Sequence, residues 1–382
     1  MSDRYLADPD IGFIEEVTRL GGADVKKCFQ CATCSVACPI SPETKPFPRK
    51  EMIATSWGLK DKLVGNADIW LCHNCGDCTT RCPRGAKPGD VLAAVRAYSV
   101  AEYATPKTLA KMVQDPKKLP ILLAIPAVIF LVVGLLLKIA GVDWLNFAPS
   151  GDHLWQADYI GNLLVDMIMI PTFFAAVAVF ALGLKRFIVD IHANALAEGK
   201  TNQDKIDPVG FLKAFVRIVP TILKHQKFNE CGENVERSTA HMMVLFGFIG
   251  LFVVTNCFFL AEWVFHIEGP YSQINPVKWL GNVAGISLVI GSLLLLKNRL
   301  SQKNSINSYW DWCLVGLVLA LGITGMLTEM LRLGGLYGLS AFVYYLHLIF
   351  VWSLFAYTPF SKLAHLVYRT VAMTYVEYAG RK

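Results

Sequence analysis

Six runs of apolar residues, each close to the roughly 20 residues a bilayer requires of a helix, limit this chain more than any other feature. They lie at about 119–140, 163–184, 240–265, 279–297, 310–330 and 338–360. Inside hydrocarbon every backbone N–H and C=O must be paired within the protein, and a continuous apolar run achieves that as an α-helix. Of the 382 residues, 54% are hydrophobic and 17% charged, and the mean hydropathy is +0.42. That is too apolar for an ordinary soluble domain. Trp144, Trp155, Trp263, Trp279, Trp310 and Trp312 stand near the ends of the runs, where aromatic belts form.

The placement of positive charge gives the orientation. The loop 141–162 holds Asp143, Asp152 and Asp158 but no Lys or Arg, whereas 185–239 holds Lys and Arg in abundance, from Lys185 and Arg186 to Arg237. The loop 266–278 has Lys278, the turn 298–309 has Arg299 and Lys303, the turn after the fifth run has Arg332, and the tail has Lys362, Arg369, Arg381 and Lys382. Basic segments alternate with neutral or acidic ones, so both termini are expected in the cytoplasm, with the chain crossing the cytoplasmic (inner) membrane. The N-terminus carries Asp3, Asp8, Asp10, Glu15 and Glu16 without an apolar core, unlike a signal peptide. The net charge of +6 is not gathered into a basic domain, so nucleic-acid binding has no support.

Ahead of the first span the chain reads C-F-Q-C-A-T-C-S-V-A-C-P from Cys28 and C-H-N-C-G-D-C-T-T-R-C-P from Cys72. Each is C-x2-C-x2-C-x3-C-P, the bacterial spacing for a cubane cluster. Three thiolates grip one cluster and the Cys before Pro serves the other. The assignment expected is Cys28, Cys31, Cys34 and Cys82 on one [4Fe-4S] cluster, and Cys72, Cys75, Cys78 and Cys38 on the second. Structural zinc uses paired C-x2-C units; a third Cys and a closing Cys-Pro in both halves favour iron–sulfur. Disulfides do not suit thiols repeated at this spacing in a reducing compartment.

The segment around these motifs reads as helical. Ile11, Ile14, Val17 and Leu20 recur at helical spacing until Gly21-Gly22, Arg49 to Val64 reads as one helix, and another runs from about Pro88 to Tyr103. The fold expected is all-α: a two-cluster helical ferredoxin domain over 1–104, a polar linker over 105–118, and a six-span bundle of cytochrome b type over 119–382. The long helical gap between the Cys runs is like that in the second half of succinate dehydrogenase iron–sulfur subunits.

Polar side chains in lipid default to functional readings. His241 opens the third span, His347 lies in the sixth, and His365 lies just beyond it. On one continuous helix the 18 residues from His347 to His365 make five turns, so both would project from one face about 27 Å apart, a spacing that suits two stacked b haems. His241 and His365 are expected to pair on the haem nearer the cytoplasm. For a second haem the partner of His347 is expected around 251–259, a stretch without His; His266 and His153 are the alternatives, if the helices tilt or the loop folds back. His73 would tune a cluster, His192 and His225 read as surface or structural, and Cys231, Cys257 and Cys313 as ordinary thiols. Glu262, Glu329 and Arg332 read as interfacial residues, or else as a proton exit beside a quinol site, with Asp166 a weaker case.

The Cys runs look like the small iron–sulfur subunit of heterodisulfide reductases. Ser238 to Phe252 (S-T-A-H-M-M-V-L-F-G-F-I-G-L-F), Y-L-H-L-I-F from Tyr345 and P-F-S-K-L-A-H from Pro359 are similar to the cytochrome b subunit of respiratory nitrate reductase, whose last span has the same His spacing. Leu251 stands where that cytochrome carries a further His. The fusion of both modules resembles the C-subunit family of quinone-interacting membrane-bound oxidoreductases of sulfate reducers. That resemblance implies flavoprotein partner subunits A and B, and electron delivery from menaquinol toward adenylylsulfate reductase in sulfate reduction.

The reading is a membrane electron-transfer subunit that oxidises menaquinol and passes electrons through one or two b haems and two [4Fe-4S] clusters to cytoplasmic flavoproteins. Reversed flow, with quinone reduced, is the alternative; a redox sensor or assembly anchor is the alternative of another class. No G-x-G-x-x-G opens a helix after a strand and no Cys-Cys dipeptide occurs, so the converting centre for a soluble acceptor belongs to partner subunits.

Overall fold

The computed structural model describes residues 8–146, 154–224, 236–301 and 308–381. It is all-α; among the described residues no strand forms, and Leu145 and Ile160 make an isolated bridge. His153, His225, Cys231 and the extreme N-terminus lie outside the described residues.

The first hundred residues build a compact set of short helices. α1 (Ile11–Val17) is capped by Asp10, which accepts from the Phe13 N–H at 2.8 Å, and it buries Phe13 and Val17, one turn apart. Gly21 then takes a φ of 109°, as its place at the end of the pattern suggests. α2 (Thr33–Val36) follows the first Cys run. The single helix expected over 49–64 is two, α3 (Arg49–Ser56) and α4 (Lys60–Val64). Gly58 turns the chain between them at φ +69°, against the backbone of Asp10. α5 (Asp68–Leu71) and α6 (Asp77–Thr80) bracket the start of the second Cys run. α7 (Pro88–Tyr103) has the bounds its sequence suggests and is largely buried. The polar stretch after it folds as α8 (Lys107–Val113), with Ala110 and Val113 buried and the Gln114 side chain donating to the Ala97 carbonyl at 2.9 Å.

Six helical segments are long and apolar enough to cross a membrane. They comprise α9 (Leu119–Ile139), α10 (Asn162–Ala197), α12 (Glu236–Trp263), α13 (Pro276–Ser301), α14 (Tyr309–Leu333) and α15 (Tyr337–Tyr357), the last continued by α16 (Ala364–Tyr378). α11 (Pro208–Leu223) lies between α10 and α12 and packs on α16. Val128, Leu131, Leu135, Phe174, Phe252 and Ile290 stay exposed along the bundle, as lipid-facing residues must.

One of these helices, α10, runs far past its expected span end. α10 has 36 residues, roughly 54 Å of helix against about 30 Å of hydrocarbon. Lys185 and Arg186 end the apolar run but not the helix, because Phe187, Ile191 and Ala195 keep a buried stripe at i, i+4, i+8. That stripe packs in one core with Trp70, Val100 and Tyr103 of the N-terminal region and with Ala364, Tyr368, Ala372 and Tyr375 of α16. Tyr368 stacks on Trp70 at a 5.4 Å centroid separation. The Tyr103 hydroxyl donates to Asp190 at 2.9 Å, and Arg186 donates to the Tyr103 carbonyl.

The path from His347 to His365 differs from the expectation. α15 ends at Tyr357, a 3-10 turn follows over Thr358–Phe360, and Ser361 is extended (ψ 179°) before α16 begins. Pro359 supplies no N–H to continue the helical ladder. The two histidines are therefore on separate helices, and the five-turn spacing does not describe their separation.

Candidate functional site

The two Cys runs adopt one backbone shape. In each, the residue before the second Cys and the residue after it are left-handed: Gln30 and Ala32 (φ 67° and 68°), Asn74 and Gly76 (φ 51° and 103°). Left-handed non-glycine residues are uncommon, and three of these four positions are not glycine. Such turns gather backbone N–H groups on one side of a loop, where they favour negative charge. The Asn74 N–H donates to Cys72 Sγ and the Ala86 N–H to Cys82 Sγ, each at 3.3 Å. The third Cys of each run, Cys34 or Cys78, then sits on a single turn of helix, α2 or α6.

The fourth cysteines lie beside different cores. Cys38 and Cys72 flank the core built on Trp70, whereas Cys28 and Cys82 flank a small core of Val25, Met52, Ala86 and Val91. Burial pushes the Cys38 thiol up to about 12, and its neighbours Cys72 and Cys75 add to the effect. Burial pushes Cys34 up to about 11, with Cys28 and Cys31 as the thiols beside it. Cys78 is raised by burial first and then by Cys72, Cys75 and Cys38. Cys31, at the surface, is held below the usual thiol range by the Thr33 hydroxyl at 3.2 Å. Among the described residues no three His, Cys, Asp or Glu side chains converge as one metal ion requires. The donor set is instead two groups of crowded thiols, whose ionisation bound iron would favour by supplying the opposing charge.

A cavity of about 1060 Å³ joins the second group to the bundle, and its lining includes His241, His365, Cys72, His73 and Asn74. His241 comes from the start of α12 and His365 from the start of α16, so the cavity brings this pair together. Apolar side chains from α10, α12 and α14 (Phe180, Leu245, Val318) form part of its wall, and Arg96, Arg299, Lys362 and Arg369 are basic residues in the lining. The indole N–H groups of Trp70 and Trp310, also in the lining, are buried without a hydrogen-bond acceptor. A flat apolar macrocycle with two carboxylates fits that chemistry: two imidazoles for iron, apolar walls, and cations and spare donors for the carboxylates. Arg299 and Lys362 meanwhile pair with Asp311.

Arg369 is a residue that sequence reasoning passed over. It lies one turn after His365 on α16 and donates to the carbonyls of Leu71 (3.2 Å) and Cys72 (3.4 Å), with His73 Nε2 at 2.6 Å. Its contacts span nearly three hundred residues, so no local pattern announces them.

The other histidines are placed differently. His347 faces α14, with Nδ1 at 3.0 Å from the Thr324 hydroxyl and Gly325 leaving room for its ring. His266 lies beyond α12, exposed and at φ 52°; the structure shows no contact between it and His347. His192 bonds to the Tyr375 hydroxyl at 2.8 Å and to the Asp204 carbonyl at 3.1 Å, a tie between helices. Glu329 is held by Arg332, Lys278, Gln273 and Gln156, and Asp166 accepts from the Trp263 indole at 2.8 Å. Glu262 accepts from Asn162. Cys257 is exposed and Cys313 half-buried, both outside the thiol groups.

Residues 24–86, which contain all eight motif cysteines, match the 4Fe-4S dicluster domain family. The chain is also similar to the E-subunit of dihydromethanophenazine:CoB–CoM heterodisulfide reductase. It is 27% identical over 148 residues to that of Methanosarcina thermophila, covering 34% of this chain and 55% of the relative. For Methanosarcina acetivorans the figures are 26% over 148 residues, 35% and 56%. The chain thus spans about half the length of the curated relatives it matches. No solved structure matches it. It carries a 4Fe-4S domain joined to helices that can cross a membrane, and it is distantly related to a heterodisulfide reductase subunit.

Proposed function

We propose that this chain is the membrane electron-transfer subunit of a quinol-oxidising complex in the cytoplasmic membrane, with its clusters on the cytoplasmic side. It takes electrons from menaquinol and delivers them to flavoprotein subunits A and B, toward adenylylsulfate reductase. The observation that carries this reading is the cavity: a His from the third span, a His from the helix that follows the last span, and the loop of a cluster motif line one space. The relatives' name pairs a reduced carrier, dihydromethanophenazine, with a disulfide-reducing enzyme, which supports carrier oxidation as the direction.

Two [4Fe-4S] clusters and a b haem, when bound, supply one-electron relay. Cys28, Cys31, Cys34 and Cys82 would hold one cluster, and Cys72, Cys75, Cys78 and Cys38 the other. His241 and His365 would hold the haem iron, and Arg299, Lys362 and Arg369, also in the cavity lining, are the cations that would offset its carboxylates. Arg369 fixes the carbonyls of the Cys72 loop, and so the second group is the one that faces the bundle. His347, with its Thr324 partner, and His266 are the remaining candidates for a second haem.

The test is a ligand pair. His241→Ala and His365→Ala should each abolish the same b-haem signal in reduced-minus-oxidised spectra, while iron and sulfide remain at the level of two cubane clusters. Loss of two different haem signals would refute the pairing, and zinc in place of iron would refute the relay.

A further inference from the structure

The two thiol groups differ in what surrounds them. The Cys72 group meets the bundle through Arg369 and the cavity. The Cys28 group faces outward. Cys31 is exposed, and beside it Phe29 and Val36 are 58% and 88% exposed. Large apolar side chains so open to water on a loop and a single helical turn have no packing role among the described residues.

The rim around them is basic. Lys26 and Lys27 precede Cys28, and Arg81 and Arg84 flank Cys82; all four are exposed. Arg49, also exposed, is tied to this loop through the Gln30 carbonyl at 3.1 Å. Of the acidic residues nearby, Asp24 is engaged by Lys27 at 2.6 Å and Lys87 at 3.7 Å, while Glu43 stands at the surface. Cys28 and Cys82 flank the same small core, so the basic residues beside them neighbour one thiol group.

We infer that this face, with Phe29 and Val36 at its centre and Lys26, Lys27, Arg81 and Arg84 around it, is the docking surface for the electron-accepting flavoprotein, whose own surface is acidic with an apolar centre. The inference rests on the relay proposed above and names its outlet. An apolar centre with a charged rim is the ordinary anatomy of a protein interface, and opposite charge steers such partners and fixes their register. Anionic lipid headgroups could also meet a basic rim. They are disfavoured by position, because the membrane helices join the cluster domain at the Cys72 side, through α10 and α16.

Flavodoxin, an acidic flavin carrier, serves as the probe. The full-length holoprotein in lipid nanodiscs is titrated with it, and binding is read from anisotropy of the flavin. Binding should weaken about tenfold as ionic strength rises and the Debye length shrinks below about 8 Å. Lys26→Glu with Arg81→Glu and Arg84→Glu should weaken it at least about tenfold, the Gln versions less, and Phe29→Ser should weaken it without changing the salt dependence. Reversal of Lys117 and Lys118, near the first span, should leave it unchanged. No binding at low salt, equal losses from the control reversal, or binding that follows the anionic-lipid content of the nanodisc would each overturn the inference. Iron content and cluster spectra on the same samples separate the two readings. Absent clusters would sink the relay, whereas intact clusters with indifferent binding would sink only the docking face.

Discussion

Asp68→Asn should loosen the cluster domain from the rest of the chain. The Asp68 carboxylate is fully buried and meets Arg381 at 2.6 Å, Lys50 at 2.7 Å and Lys200 at 3.0 Å. These cations come from the chain's C-terminal end, from α3 and from the loop after α10, so a single carboxylate closes three segments. Their pull holds its ionisation well below the usual carboxylate range despite burial. Asparagine keeps the shape and removes the charge, leaving three cations facing only Glu198 and Glu51. Breaking a buried pair from one side costs about 3–5 kcal/mol. At about 1.4 kcal/mol per decade, local opening should rise by roughly two to four orders of magnitude. Hydrogen exchange by mass spectrometry reads this directly in peptides covering α5 and the end of α16. Adding Lys200→Met to the variant should recover part of the loss, since it restores the charge balance. A change below tenfold in those peptides, or an equal change throughout the bundle, would refute the reasoning.

The same cluster should also respond to pH. Burial pushes Glu51 up to about 7, so its contribution is present in full below the ordinary glutamate range and is lost as pH rises through about 7. Asp68, depressed, contributes above the ordinary aspartate range and loses its contribution as pH falls. Protection of α5, corrected for intrinsic exchange, should therefore peak in mildly acid solution, and Glu51→Gln should abolish the alkaline loss. Arg369→Met should perturb the magnetic-resonance signal of the cluster held by the Cys72 group and spare the other. Arg369→Lys should rescue it only in part, because an ammonium cannot reproduce the guanidinium fork. Gly183→Ala would drive a methyl group into the Tyr368 hydroxyl and to 3.1 Å from the Tyr103 carbonyl. The overpacking costs about 1–3 kcal/mol and should lower haem retention measured by pyridine haemochrome.

What the sequence shows well here is periodic or covalent in origin. Apolar runs give the bundle, with ends such as Leu119 and Tyr337 within a residue or two of those expected. The eight cysteines stand out because a cubane needs them at fixed spacing. His241 and His365 were also legible as a pair, though the continuous helix used to relate His365 to His347 is interrupted at Pro359. Tertiary contacts left no such trace. Nothing local in the sequence ties Arg381 to Asp68 or Arg369 to Cys72. The extra turns of α10 were hidden because Lys185-Arg186 ends the hydropathy signal while the helical stripe of Phe187, Ile191 and Ala195 goes on under a different neighbour.

That continuation decides what kind of device the chain can be. A ferredoxin domain on a loose tether would meet the bundle at a variable distance, and one-electron transfer would wait on its docking. Here α10 rises out of the bundle and α16 starts at the cavity, and both are built into the core that holds Trp70 and Tyr103. α16 carries His365, which lines the cavity, and one turn later, about 6 Å along the axis, Arg369, which grips the Cys72 loop. Any motion that separates the two must strip Tyr368 from its stack on Trp70 and break the bonds of Arg369 to the loop. The His365 side of the cavity and the Cys72 loop are thus fixed to each other by the same helix. In the relay proposed, the distance that this helix does not fix is the one at the exposed Cys28 face.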